Sequence, residues 1–302
     1  GDLLRNIPVG FNHHKSKQEC KAVDEALANL NRYSFAQALI SEIEDGYYQV
    51  GTLGGGNHFI ELQTDDEGLV CIMLHSVSRH LGSKICDYFH SIARELNEKE
   101  NAGVPDHHRL AYLPVESEAG QAYINYMNMA LDFAYENRVR MMDKVQEIFT
   151  RWCERSFEIT PVYSNLINCH HNYAAFEKHY DKEVWVHRKG AIRARAGELG
   201  IIPGAMGSFS YIVSGKGREE SFYSCSHGAG RRLSRSKAKE TYSVEQVILD
   251  LKETGVVLGK NRKSDVAEES RFAYKDIESV ISNESDLIEV IKRLKTIGVV
   301  KG

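Results

Sequence analysis

The run Ser226-His227-Gly228-Ala229-Gly230-Arg231 sets an imidazole in front of two glycines and an arginine. Glycines let backbone N–H groups approach a bound anion, and the Arg231 fork can take phosphate oxygens that a histidine would attack or hold. Taken alone, the run reads equally well as a surface turn that contains a histidine. A second run, Gly51-Thr52-Leu53-Gly54-Gly55-Gly56-Asn57-His58-Phe59-Ile60-Glu61, leads a glycine loop into a strand, a junction that suits phosphate and metal. Shortly after it, Leu69-Val70-Cys71-Ile72-Met73-Leu74 predicts a buried strand ending in His75-Ser76-Val77-Ser78-Arg79. Two nearby strands thus each deliver a histidine at one end, which favours a ligand role over that of a hydrogen-bonded core histidine. In Asn168-Cys169-His170-His171-Asn172, alternation sends adjacent side chains to opposite faces, so at most one of His170 and His171 serves a site. Trp185-Val186-His187-Arg188-Lys189-Gly190-Ala191 and the small-residue turn Pro203-Gly204-Ala205-Met206-Gly207-Ser208-Phe209-Ser210-Tyr211 complete the set. Each of these two, standing alone, reads as a solvated basic strand end and an ordinary tight turn.

The elements that must position these residues follow from the apolar spacing. Helices are predicted over residues 19–44, 81–99, 121–152, 244–254 and 285–294, the third with its apolar stripe at Tyr123, Met127, Leu131, Ala134 and Met141. Such a stripe is core. Ile159-Thr160-Pro161-Val162-Tyr163 is strand-like, and His107 with His108 reads as an exposed, non-catalytic pair in a loop. The expectation is an α+β chain without repeats, with mixed β-sheets surrounded by helices and the site built from loops at strand ends. At 302 residues with 42% hydrophobic content, the chain can bury one large core, and no apolar run is long enough to span a bilayer. Nothing at its start reads as a signal peptide, and six cysteines without C-x-x-C spacing argue for free thiols in a reducing, cytoplasmic setting.

Net charge is -4, yet positive residues gather at the motifs: Arg188, Lys189, Arg193 and Arg195, then Arg231, Arg232, Arg235, Lys237 and Lys239. A basic track beside an acidic body is compatible with gripping nucleic-acid ends, although charge runs are more often plain solvated faces.

The order of these motifs, from GTLGGGNHFIE through HSVSR, HHN, HRKG, PGAMGSFSY and SHGAGR to the closing Val-Val-Lys-Gly, resembles the RtcB family of GTP-dependent RNA ligases over residues 51–302. The resemblance implies a single RtcB-type catalytic domain over residues 1–302 that joins an RNA 3'-phosphate or 2',3'-cyclic phosphate end to a 5'-hydroxyl end through a histidine-bound GMP. It implies GTP and Mn2+ as cofactors, RNA with broken ends such as tRNA halves or damaged RNA as partner, and an archease-type activator. By the same resemblance His227 is the guanylylated histidine, and His58, His75 and His171 hold manganese. Asn57, His58, Phe59, Ile60, Glu61, His171, Asn172, Pro203, Gly204, Ala205, Met206, Ser210, His227, Gly228, Ala229, Gly230 and Lys301 would meet the nucleotide. Lys189 and Tyr274 are further pocket residues, and Arg79 and Arg231 lie where the family has arginines near RNA or phosphate. Lys301 would be pinned into the pocket, and its loss is expected to leave stability almost unchanged.

The family also carries an Asp-x-Gly-Cys-Gly segment upstream of these motifs, whose aspartate and cysteine bind metal, and the 302 residues contain no such segment. Three neutral imidazoles can hold one divalent ion, but two close cations need anionic ligands to offset their repulsion. At most one ion, with manganese held weakly, is therefore expected, unless Glu61 or Cys225 supplies the missing charge. Two readings stay open: a ligase chain incomplete at its N-terminus, and a ligation-deficient relative that binds nucleotide or RNA ends. A zinc hydrolase on the three histidines is a weaker third, with Glu61 its one spare carboxylate.

Overall fold

The computed structural model describes residues 1–108, 110–164, 166–260 and 266–302. In chain order its main elements are α1 (Asp2–Asn6), α2 (Lys21–Ala28), a 3-10 run (Leu30–Leu39), α3 (Ile40–Gln49), β1 (Phe59–Thr64), β2 (Val70–His75), α4 (Arg79–Lys99), α5 (Glu118–Phe157), β3 (Asn172–His179), β4 (Lys182–Lys189), β5 (Ala191–Arg193), β6 (Leu199–Ile202), β7 (Phe209–Gly215), β8 (Ser224–Ser226), α6 (Arg235–Thr241), α7 (Val244–Glu253), β9 (Val257–Gly259), α8 (Ile277–Asn283) and β10 (Ile288–Lys301). The class is α+β. Contacts gather these elements into two compact units, one of Gly1–Gly10, Gly55–His75 and Val145–Gly302, the other of Phe11–Gly54 and Ser76–Lys144.

The second unit is helical. Leu81, Ile85 and Phe89 recur every four residues on α4 and bury one stripe with Val23 and Ala26 of α2, Ile43 of α3, and Tyr126 and Phe133 of α5. Each such side chain contributes roughly 1.5–3 kcal/mol when taken out of water. The long helix expected over residues 19–44 is instead broken into α2, the 3-10 run and α3, with a non-helical Ala36 (φ -119, ψ 56). The buried Tyr126 hydroxyl compensates at the break by serving the carbonyls of Tyr33 (2.5 Å) and Ala36 (2.9 Å) as a donor. That compensation comes from another helix, so periodicity within the segment could not show it.

The first unit is organised by a six-stranded sheet in the order β2-β1-β10-β7-β6, with β9 also paired to β10. All pairs are antiparallel except β9 with β10. Alternation along the strands gives two faces. Tyr211 and Val213 of β7 and Ile202 of β6 pack with Ile277 and Ile281 of α8, while Phe59, Met73 and Leu294 pack with Val247 and Leu251 of α7. Helix α7 begins with a full capping box between Ser243 and Gln246. Two small sheets, β3-β4 and β5-β8, complete the unit.

Three sequence expectations are overturned here. Residues 285–294, expected as a helix, mostly form the start of β10, which pairs with β7 over Ile288–Lys295 and with β1 over Lys295–Lys301. Its Ile288, Val290, Ile291, Thr296, Ile297, Val299 and Val300 are β-branched, and a strand with neighbours along its length uses that branching better than a helix does. Residues 159–163 form no strand; Ile159 and Val162 are exposed, the latter at 97%. Strand β2 is present but lies at the sheet edge, with Val70 exposed and Met73 buried, and so is not the fully buried strand expected. Among the described residues no helix is long and apolar enough to cross a membrane.

Candidate functional site

Strand register brings the scattered histidines together. Phe59, the first residue of β1, pairs with His75 at the end of β2 and with Lys301 at the end of β10. His58, His75 and Lys301 therefore share one end of the sheet. In the small sheets, Asn172 pairs with Lys189 and Ala191 with Ser226, which draws His171, Gly190 and His227 to one place. The rings form a line: His58 to His75 5.6 Å between centroids, His75 to His171 4.9 Å, and His171 to His227 4.8 Å, the last two rings stacked within 13°. His170 goes the other way and packs its ring against Tyr173. Burial, and then the neighbouring rings of His171, His58 and His227, hold His75 well below the ordinary imidazole value, so it is neutral at pH 7. The Asn57 amide nitrogen lies 3.4 Å from His75 Nε2.

His227 is oriented by a backbone carbonyl. Its Nδ1 lies 2.8 Å from the oxygen of Gly190, which can only accept, so Nδ1 carries the proton and Nε2 keeps its lone pair. Burial lowers the His227 value more than this hydrogen bond raises it. Gly190 is itself held, since its N–H donates to the His171 carbonyl (2.8 Å) and to the Asn172 side-chain oxygen (3.0 Å). The position favours glycine: φ is +69°, and a Cβ would stand 3.2 Å from His227 Cε1, so any other side chain would be strained and would crowd the ring. The result is a neutral imidazole with a fixed ring and a nucleophilic nitrogen, followed by the backbone of Gly228 and Ala229.

The small-residue turn is pinned from the sheet. Gly204 N–H donates to Ser210 Oγ (3.1 Å), which also accepts from the Gln63 amide (3.1 Å); that amide donates to Glu61 Oε2 (2.7 Å), to which the Thr296 hydroxyl donates as well (3.0 Å). Ala229 N–H in turn donates to Pro203 O (3.3 Å), so the turn supports the segment that follows His227. A Cβ on Gly204 would stand 2.0 Å from Phe209 O, which excludes every other residue. Burial pushes Glu61 up to about 7 against the pull of Thr296, Lys301 and Gln63. Gln63 and Thr296 were not singled out from sequence; their positions on the same strand face as Glu61 and Ser210 required the register. Phe59, Met206 and Ala229 bury their side chains in the apolar clusters and Ile60 is 1% exposed, so any contact these residues make with a nucleotide runs through the backbone.

Lys301, Tyr274 and Arg231 meet at a residue the sequence reading missed. Glu269 accepts from Lys301 Nζ (3.0 Å) and from the Tyr274 hydroxyl (2.7 Å), and Arg231 Nη1 lies 3.3 Å from its other oxygen. Arg231 also donates to Tyr274 Oη (2.9 Å), Glu268 O (2.6 Å) and Leu233 O (3.0 Å). Its fork is thus largely engaged by the protein. The expectation that Lys301 could be lost without effect on stability does not fit its surroundings: it is a strand residue, 4% exposed and ion-paired. Glu269 lies in a short acidic run, Glu268-Glu269, which by itself signals only a polar turn.

Lys189 is exposed at the end of β4. Arg79 belongs to the helical unit, where its Nε donates to Thr52 Oγ1 (2.8 Å) and burial brings its guanidinium down to about 10. His107 and His108 are exposed in that unit. Much of the basic track is neutralised internally, Arg188 by Glu177, Arg193 by Glu198, Arg231 by Glu269, Lys237 by Glu240 and Lys239 by Glu268.

The donor types suit a borderline divalent cation, since the line offers imidazole nitrogens. Among the described residues, however, no three His, Cys, Asp or Glu side chains stand as a ready-made metal-binding group. Neither reserve anion is placed to help: Glu61 is bonded to Gln63 and Thr296, and Cys225 sits in the apolar cluster with its thiol pushed up to about 12 by burial.

The sequence model of the family described as tRNA-splicing ligase RtcB matches residues 2–302. The chain belongs to the RtcB family. It is 43% identical over 259 residues to the RNA-splicing ligase RtcB of Escherichia coli (strain K12), an alignment covering 85% of this chain and 62% of that protein. It is 35% identical over 301 residues to the tRNA-splicing ligase RtcB of Nanoarchaeum equitans and 36% identical over 299 residues to that of Methanococcus maripaludis, each covering 85% of this chain and 60% of the relative. The chain thus spans about three fifths of the length of these curated relatives.

Proposed function

We propose that this chain carries the guanylylation site of an RNA ligase that joins RNA 3'-phosphate or 2',3'-cyclic phosphate ends to 5'-hydroxyl ends, with GTP as the activating nucleotide. The observation that carries the reading is the hydrogen bond from His227 Nδ1 to Gly190 O, which leaves Nε2 as the nucleophile. In this reading Nε2 attacks the α-phosphate of GTP and the bond to pyrophosphate breaks. The RNA 3'-phosphate then takes the GMP, and the 5'-hydroxyl attacks the activated end and releases GMP. Manganese, held by His58, His75 and His171, would supply a Lewis acid that offsets phosphate charge. The protein's own contributions are orientation and field. Gly190 fixes the His227 ring, the pinned turn offers the backbone of Gly204 and Ala205, Gly228 lets backbone approach the phosphate, and Lys301 supplies positive charge. Broken RNA ends, an archease-type activator and a cytoplasmic setting belong to the same proposal.

Incubation with GTP and manganese followed by intact-protein mass spectrometry tests it. One GMP per chain is expected, lost in His227→Ala with the thermal transition preserved, and ATP should be a poor replacement. An adduct that survives His227→Ala would overturn the assignment.

A further inference from the structure

The Glu269 cluster shows a feature that nucleotide binding alone does not require. Two cations assigned to the site, Lys301 and Arg231, are both bound to a single carboxylate that is itself buried, 4% exposed. Burial alone would raise this carboxyl; Lys301, Tyr274 and Arg231 outweigh that and bring it below the ordinary range, so it is ionised at neutral pH. The same carboxylate orders Tyr274, whose hydroxyl donates to Glu269 Oε2 while accepting from Arg231 Nη1. Lys301 Nζ is steadied on its other side by Gly56 O at 3.5 Å, next to Asn57 and His58. Glu61, a second carboxylate that feels the Lys301 charge, is pushed up to about 7 by burial and offsets less of it. One full negative charge therefore faces two positive ones within hydrogen-bond distance in a site read here as receiving anionic phosphates.

We propose that Glu269 is the positioning residue that sets the charge of the nucleotide site: it holds Lys301, Tyr274 and Arg231 in place and, by cancelling one of two positive charges, keeps the site's hold on phosphate anions weak enough to release them. The proposal rests on the reading above, in which pyrophosphate leaves after His227 is guanylylated. A charge that only supported the fold would make every substitution weaken binding. A charge that restrains affinity makes its removal tighten binding.

The test is calorimetric titration of the whole chain with inorganic pyrophosphate, without nucleotide. Glu269→Gln keeps an acceptor for Lys301 and Tyr274 and removes the charge, so pyrophosphate should bind roughly tenfold more tightly than to the wild type, with a steeper loss of affinity on adding salt. Because that variant leaves the buried Lys301 with a neutral amide in place of its counter-ion, a second comparison removes the lysine from both arms. Lys301→Met with Glu269→Gln should bind roughly tenfold more tightly than Lys301→Met alone, again through the lost negative charge. Equal or weaker binding in the folded pair overturns the proposal, as does a wild type with no measurable pyrophosphate binding. The two failures are separable, because the GMP adduct at His227 in the wild type reports on the ligase reading independently.

Discussion

Two histidines in the same unit, the half-buried His227 and the fully buried His179, are treated in opposite ways. His227 presents Nδ1 to a neutral carbonyl, that of Gly190, and stacks on another imidazole, His171. His179 instead sets Nε2 3.0 Å from a carboxylate, Glu177, which Arg188 grips with both arms at 2.8 and 2.9 Å, and its ring lies between Phe222 and Tyr223. Arg188 further donates to Ser224 Oγ and Phe222 O, which closes the cluster. A carbonyl partner fixes the ring and favours its charged form less than burial disfavours it, so the imidazole stays neutral with a lone pair on its second nitrogen. A carboxylate partner locked to an arginine makes a joint. The difference lies in the acceptor that the fold supplies, a lone backbone carbonyl for a half-buried imidazole and an arginine-locked carboxylate for a fully buried one.

The sharpest way to break the comparison is to remove one partner from each side. Arg188→Ala leaves the Glu177 carboxylate buried and uncompensated and should lower unfolding free energy by about 3–5 kcal/mol in a denaturant titration. His227→Ala strands no charge and should change it by less than about 1 kcal/mol while abolishing the GMP adduct. If His227→Ala proves as destabilising as Arg188→Ala, the division between reactive and structural histidine falls.

A smaller effect is expected at Gly190. Alanine there must adopt a left-handed backbone at about 1–2 kcal/mol and bring a methyl carbon to 3.2 Å from the His227 ring. The rate of adduct formation should fall by more than the modest stability loss explains, which single-turnover labelling against a melting curve would show. Unchanged labelling would mean that the carbonyl does not set the ring.

With pH, the two carboxylates act in opposite senses. Glu177 is raised by burial but brought to about 2 by Arg188 and His179, so its stabilising contribution is full above the ordinary carboxylate value and is lost as pH falls from about 4.5 toward 2. Glu61 is raised to about 7, so its ionisation costs stability, and that cost disappears as pH falls from about 7 toward 4.5. Glu61→Gln should flatten the stability profile between those values and leave the acid limb intact. A profile unchanged between pH 4.5 and 7 would show that the Gln63 and Thr296 hydrogen bonds keep Glu61 ionised.

The sequence by itself determined which chemistry was available. His58, His75, His171 and His227 are legible because each stands at the junction of a strand with a loop bearing glycine, asparagine or serine, and the helices α4, α5 and α7 are legible from their apolar spacing. Local composition also sufficed for the turn at Pro203–Gly207 and for the family. It did not suffice for β10, because a segment with apolar residues at Leu287, Ile288, Ile291 and Leu294 satisfies a helical period until strands β1 and β7 compete for its backbone. Nor did it single out Glu269, Gln63 or the Gly190 carbonyl. These act through partners 32 residues away in Lys301, 147 in Ser210 and 37 in His227. The same holds for charge: Arg188 and Arg231 read as surface cations from their run and are buried or engaged once Glu177 and Glu269 are brought beside them. Residue type and local period are properties of neighbours in the chain, whereas the acceptor of a proton, the partner of a charge and the neighbour of a strand are fixed by register, which exists only when the sheet has closed.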